Sequence, residues 1–386
     1  MEFASRTAEA GDMSQIVDEL CIDAEKDFDI GLLFVSAQLD EHIREIERTV
    51  ADRLPVSHLL ACSCAGIIGS EREVEGAPAA SLFLAKLPGV RCRAFHIEQE
   101  HIEQLSSPED YYEMLEVYPN ENPVFVLIPD PYQIDLNAFL EGMNEAYAGR
   151  PLVGGLASGS TQANGNVLIV NGEVHNRGMI GLALCGDIHI DTIVSQGCKP
   201  IGKTYIVTKA DKNIIYEVAG KTFLDILRQV FLDLNETERQ LMQQALLVGI
   251  AMDEYTHDFG RGDFLVRPVI GIDQESGAVG IGDRIHAGQT IQLHLRDVKT
   301  AAEDLTELLK KFKKKRPSDS RGALVFSCNG RGEGLFGEPD HDITLIQKHL
   351  GPIPAAGFFC AGEIGPIGGK NFIHGFTDSI VVFSSD

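Results

Sequence analysis

Apolar and polar positions alternate in blocks of helix and strand length along most of the 386 residues. Residues 13–26 carry Ile16, Val17, Leu20, Cys21 and Ala24 at helical spacing, which predicts an amphipathic helix. Residues 31–36 form an apolar run of strand length. Residues 40–51 follow, with Leu39, Ile43, Ile46 and Val50 on one helical face. Further strands are predicted at 58–64, 80–85 and 92–97. The order strand, helix, strand then recurs at 124–128, 136–148 and from Pro151, and again at 323–326, 343–349 and 354–362. Asn164-Gly165 and Asn171-Gly172 mark a hairpin, and 179–185 and 188–194 read as strands. Between these blocks, 222–231 and 236–245 read as helices, and 267–273, 278–281 and 290–296 as strands. In the last of these, Ile291, Leu293 and Leu295 alternate with Gln292, His294 and Arg296, so one face is expected to be solvated. Residues 298–315 place Leu305, Leu308, Leu309 and Phe312 in one helical stripe, ended by Pro317.

Two of the recurring blocks align without a gap. A-C-S-C-A-G-I-I-G (61–69) and G-F-F-C-A-G-E-I-G (357–365) share Cys64/Cys360, Ala65/Ala361, Gly66/Gly362, Ile68/Ile364 and Gly69/Gly365. Residues 154–159 keep the glycines and small side chains. This predicts an α/β fold: two related α/β domains with mixed sheets, built by internal duplication of a strand–helix–strand–sheet unit. The expected divisions are an N-terminal helical extension at 1–28, then domains at 29–220 and 221–386, with a cleft where the glycine turns converge.

Composition narrows the function classes. With 33 basic and 57 acidic residues the net charge is −24, which argues against nucleic acid and against an anionic membrane surface. The N-terminus has no apolar signal-peptide core, and no apolar run approaches the ~20 residues of a membrane span. Eight cysteines dispersed through a long chain are expected to be reduced thiols in the cytoplasm. The basic run 310–316 reads as a solvated helix end whose cations suit the helix dipole.

Candidate chemistry concentrates in 323–377. The apolar run 323–326 breaks at Cys328-Asn329-Gly330-Arg331-Gly332, placing a thiol, an amide and a guanidinium on a glycine-rich turn past a strand. That is where open α/β sheets hold ligands. Arg331 is suited to bidentate capture of a carboxylate or phosphate, or to an internal ion pair such as one with Glu363. It would also stabilise a Cys328 thiolate. The run 355–359 ends in Cys360-Ala361-Gly362-Glu363, so Glu363 reaches an equivalent place, and His374 precedes the last strand. Glycines 154, 155 and 159 leave room beside Ser158. Residues 154–159 lack the lysine and hydroxyl of a phosphate loop, no G-x-G-x-x-G opens a βαβ unit, and Cys62-x-Cys64 lacks zinc spacing, so no cofactor or metal is expected.

C-N-G-R-G (328–332), G-F-F-C-A-G-E-I-G-P (357–366) and N-F-I-H-G-F-T (371–377) resemble the C-terminal half of the FIST family. P-L-V-G-G-L-A-S-G (151–159) and V-S-Q-G-C-K-P-I-G (194–202) resemble its N-terminal half. The resemblance implies a small-ligand sensor, with amino acids as the ligand class. The implied ligand-contacting residues are Cys328, Asn329, Arg331, Glu363, His374, Ser158, Gly155, Gln196 and Cys198. No output domain is visible, so a separate signalling protein is the expected partner. Two alternatives stay open: a thiol-dependent enzyme using Cys328, His374 and Glu363, and a protein-interaction adaptor.

Overall fold

The computed structural model describes residues 1–22, 27–256, 258–316 and 320–384. It is a mixed α/β fold with mixed sheets, in two compact units. The first comprises Met1–Val194, Thr306–Ile373 and the chain from Thr377 onward. The second comprises Ser195–Leu305 and the three residues His374–Phe376.

The first unit contains three six-stranded sheets of identical strand order. One runs Glu2–Glu9, Ala79–Lys86, Phe28–Ser36, Val56–Cys64, Leu168–Val170, Glu173–His175. Another runs Arg91–Ile97, Met179–Cys185, Val124–Pro129, Leu152–Gly155, Glu363–Ile367, Lys370–His374. The third runs His189–Gln196, Thr377–Ser384, Ser320–Cys328, Ala355–Cys360, Gly66–Ile68, Glu73–Glu75. In each, a central parallel pair has an antiparallel strand on one side. On its other side lies a hairpin strand donated by a different strand–helix–strand block.

The parallel strands are covered on both faces, which is why they read as unbroken apolar runs: Leu32, Leu33, Phe34 and Val35 are all fully buried. Phe34, Phe326 and Phe358 meet in the core at centroid distances of 5.0 to 6.5 Å. The helix Ile43–Arg53 buries Ile43, Ile46 and Val50, as its periodicity predicts. Asn171 and Gly172 both take positive φ (50° and 84°), the conformation a two-residue hairpin turn requires.

The N-terminal extension differs from expectation. Glu2–Glu9 is an edge strand before the helix Met13–Leu20. Only Ala8 of that strand is fully covered, so no apolar alternation betrays it. That helix ends at Leu20 with Cys21 as its C-cap, short of the predicted 13–26; residues 23–26, and the predicted stop at Pro317, lie outside the described residues. All eight cysteines are free thiols.

The second unit is a closed barrel. Its strands run Cys198–Asp211, Thr290–Arg296, Leu246–Ala251, Phe264–Ile272, Val279–Ile281 and Ile214–Val218, which pairs back onto Cys198–Asp211. Val207, Val248, Leu293 and Leu295 pack in its core with Phe223 and Ile226 of the helix Phe223–Asp233. The solvated face predicted for Thr290–Arg296 is interrupted: His294 is buried. Its ring meets Phe264 edge-on and occupies the space left by Gly249, where a Cβ would stand 2.5 Å from it. Burial lowers its pKa to about 4, so it is neutral.

Candidate functional site

The strand Ser320–Cys328 ends at the turn anticipated from the sequence, and the turn folds a cation inward. Arg331 is 1% exposed. Its Nε and Nη2 donate to the two carboxylate oxygens of Asp342 at 2.6 and 2.9 Å, a bidentate fork. The guanidinium lies 5.3 Å over the Phe336 ring, and His341 Nδ1 is 2.9 Å from Asp342 Oδ1. Gly332 takes φ +64°, with Glu75 packed where a side chain would stand. Burial pulls the Arg331 pKa down, but Asp342, Asp378 and Cys328 outweigh it and keep the group charged. Burial likewise pushes Asp342 up, yet Arg331 and His341 bring it to about 2. The carboxylate that takes the arginine fork is therefore Asp342.

Not every polar atom here is spent. Arg331 Nη1 is buried with no hydrogen-bond partner, and so are both carboxyl oxygens of Asp378. Asp378 is fully buried on the strand Thr377–Ser384, opposite Ser327. Burial, then the nearby Asp342, hold its pKa well above the usual carboxylate range, which favours the protonated acid. Glu73 joins the cluster from the donated hairpin. Burial and Asp342 push it up to about 8, while one oxygen accepts the Ile343 N–H at 2.8 Å. The cluster thus holds one fixed ion pair, two raised acids and an unspent guanidinium N–H.

The other predicted residues take distinct places. Cys328 is half-buried and Asn329 exposed on the same turn as Arg331, and the Asn329 N–H donates to Cys360 O at 2.9 Å. Ser158 ties the glycine turns together. Its Oγ accepts the Ala65 N–H at 3.0 Å and donates to Phe359 O. A Cβ on Gly155 would stand 2.2 Å from Cys360 Sγ, so that glycine permits close strand packing. Glu363 is fully buried, pairs across from Gly155, and accepts the Thr377 N–H at 3.2 Å. Gln196, Cys198 and His374 belong to the second unit. There Gln196 Nε2 donates to Phe264 O at 2.8 Å, and Cys198 packs with Leu247, Val266 and Phe376.

Asp342, Asp378 and Glu73 were not anticipated as site residues. Asp378 had a signal, a lone carboxyl at the head of the apolar run 380–383. Glu73 had none, because its hairpin joins this sheet only through tertiary pairing. Among the described residues no cluster of His, Cys, Asp and Glu is arranged to hold a metal ion. No described helix is long and apolar enough to cross a membrane.

Comparison with known proteins covers nearly the whole chain. Residues 29–221 match the FIST N domain and residues 224–366 the FIST C domain. The chain is 37% identical over 325 residues to an uncharacterized protein of Mycobacterium tuberculosis, covering 84% of this chain and 83% of the relative. It is 34% identical over 382 residues to an uncharacterized protein of Mycobacterium bovis, covering 99% and 96%. A shorter match, 31% over 97 residues, covers 24% of this chain and 18% of an F-box/LRR-repeat protein of Arabidopsis thaliana.

Proposed function

The chain belongs to the FIST family, whose domains are sensory domains in signal transduction, and from that premise we propose that it binds a small polar ligand of the amino-acid class and signals through a partner chain. The observation that carries this reading is the pair of unspent groups, Arg331 Nη1 and the Asp378 carboxyl, buried within electrostatic reach of each other. A buried polar atom left unsatisfied costs about 1–3 kcal/mol, which a complementary ligand recovers. The ligand carboxylate accepts from Arg331, and its ammonium takes the place of the Asp378 proton. Cys328 and Asn329 lie on the same turn as Arg331 and would touch the ligand as it enters. Ser158, Gly155 and Glu363 hold the neighbouring turns in register. Ligand that favours one position of the Cys328–Gly332 turn shifts the population a partner reads. Eight free thiols suit a reducing cytoplasm.

The test is a thermal-shift and calorimetric screen of the amino acids and related polar metabolites. A ligand at 100 times its Kd adds about 2.7 kcal/mol of stability. Asp378→Asn keeps the side-chain volume but cannot ionise, so it should abolish the shift. Because binding ionises Asp378, about one proton should be released per ligand, read from calorimetry in buffers of different ionisation enthalpy. Absence of any hit, or a hit unaltered in Asp378→Asn, would sink the proposal.

The adaptor reading has one observation behind it, the local similarity to the F-box/LRR-repeat protein. A stable partner recovered without metabolite, and retained by Asp378→Asn, would favour it.

A further inference from the structure

The second unit carries a pocket that the sensing site does not use. It encloses about 780 Å³ between the helix Phe223–Asp233, the strands Leu246–Ala251 and Phe264–Ile272, and Phe376. That lies within the roughly 300–1,000 Å³ usual for small-molecule sites. Its walls are apolar, with Leu227, Phe231, Leu247 and Val269 among them. At its rim, Leu232 is 72% and Ile272 39% exposed, which extends the apolar lining to the opening.

Two features say what would fill it. The first is charge. The chain as a whole is at −24, yet among the residues lining this pocket the one charged side chain is the cation Arg228. Arg228 makes a single contact of 3.3 Å to Asp225 from a 62% exposed side chain, leaving guanidinium N–H groups for a ligand. The second is Phe376. It holds φ at +61°, a conformation that a bulky residue rarely adopts and that concentrates at ligand clamps. The Arg296 guanidinium lies 5.4 Å over its ring, and its carbonyl accepts the Gly197 N–H at 3.3 Å. Phe376 is thus fixed as a wall of the pocket.

We propose that this pocket binds an aliphatic monocarboxylate, with the chain against Leu227, Phe231, Val269 and Phe376 and the carboxylate on Arg228.

The experiment is isothermal calorimetry of the full chain with octanoate, decanoate and dodecanoate below their micellar concentrations, and with dodecylammonium and dodecanol. The expected result is saturable binding of one carboxylate per chain, tightening about fourfold per added methylene. Dodecylammonium should bind more weakly than dodecanoate, although the net charge of the protein favours the cation. Arg228→Glu should weaken dodecanoate by about tenfold or more and leave dodecanol unchanged. Both positions tested are exposed, so a second variant, Leu232→Glu at the rim, should also repel the carboxylate without unfolding the unit. Asp378→Asn should have no effect, which separates this site from the amino-acid site. Failure of dodecanoate to saturate, or equal affinity in Arg228→Glu, overturns the proposal. So does a sedimentation result in which Leu232→Glu dissociates a dimer and the wild-type dimer excludes dodecanoate, because the pocket would then be covered by a second copy.

Discussion

Arg331 illustrates how far a single residue can be read. Its position on a glycine turn past a strand pointed to carboxylate capture, and a carboxylate does occupy its fork, from Asp342 eleven positions along the chain. The pair is about 1% exposed on both sides. Removing one partner leaves a buried uncompensated charge, so Asp342→Asn should cost about 3–5 kcal/mol in urea unfolding. Asp378 behaves in the opposite way. Its raised pKa favours the neutral acid, so Asp378→Asn should change stability far less than Asp342→Asn does. The sequence pattern marked the arginine but did not assign its acidic neighbours to it, because they arrive from a helix, a final strand and a distant hairpin.

At the scale of elements, the recurring strand–helix–strand blocks were legible because parallel strands covered on both faces must be apolar throughout. The glycines at their ends were legible as close approaches, but not as approaches to what. Gly155 faces Cys360 Sγ, and Ser158 bridges Ala65 and Phe359. Gly155→Ala should therefore cost about 1–3 kcal/mol by overpacking. Pairing it with Cys360→Ala removes the sulfur it strikes, so the double variant should recover part of that loss, a non-additivity measurable in a double-mutant cycle. The edge strand Glu2–Glu9 escaped notice because half-exposed edge positions carry no period-two signal.

At the scale of the molecule, two titrating groups with shifted pKa values give the units opposite pH responses. Glu73 in the first unit has a folded pKa of about 8, above its unfolded value. Between roughly pH 4.5 and 8 the folded state holds a proton that the unfolded chain has lost, so stability falls as pH rises through that window. His294 in the second unit has a folded pKa of about 4, below its unfolded value. Between roughly pH 6.5 and 4 the unfolded chain gains a proton that the folded state refuses, so stability falls as pH drops. Hydrogen exchange resolved along the chain should show protection in the first unit weakening from pH 6 to 8, and in the second weakening from pH 6 to 5. Glu73→Gln should reduce the first trend, leaving the part carried by the raised acids Asp378 and Asp40, and His294→Phe should flatten the second. The boundary between the two family domains, at residues 221 and 224, falls within the span Ser195–Leu305 of the barrel unit.

Local sequence determined the parts whose causes are local. Apolar runs specify buried strands, a 3.6-residue period specifies helices such as Ile43–Arg53, Asn-Gly specifies the hairpin, and an excess of acids disfavours anionic partners. The tertiary structure decided everything that depends on which distant segments pair. Closure of the barrel rests on Cys198–Asp211 meeting both Ile214–Val218 and Thr290–Arg296. Burial of His294 rests on Gly249 of another strand leaving it room. The meeting of Arg331, Asp342, Asp378 and Glu73 rests on a strand, a helix, the last strand and a hairpin from the first half of the chain. No window of sequence contains all of those neighbours, and their charges are set by desolvation and by one another, both of which exist only once the chain has closed around them.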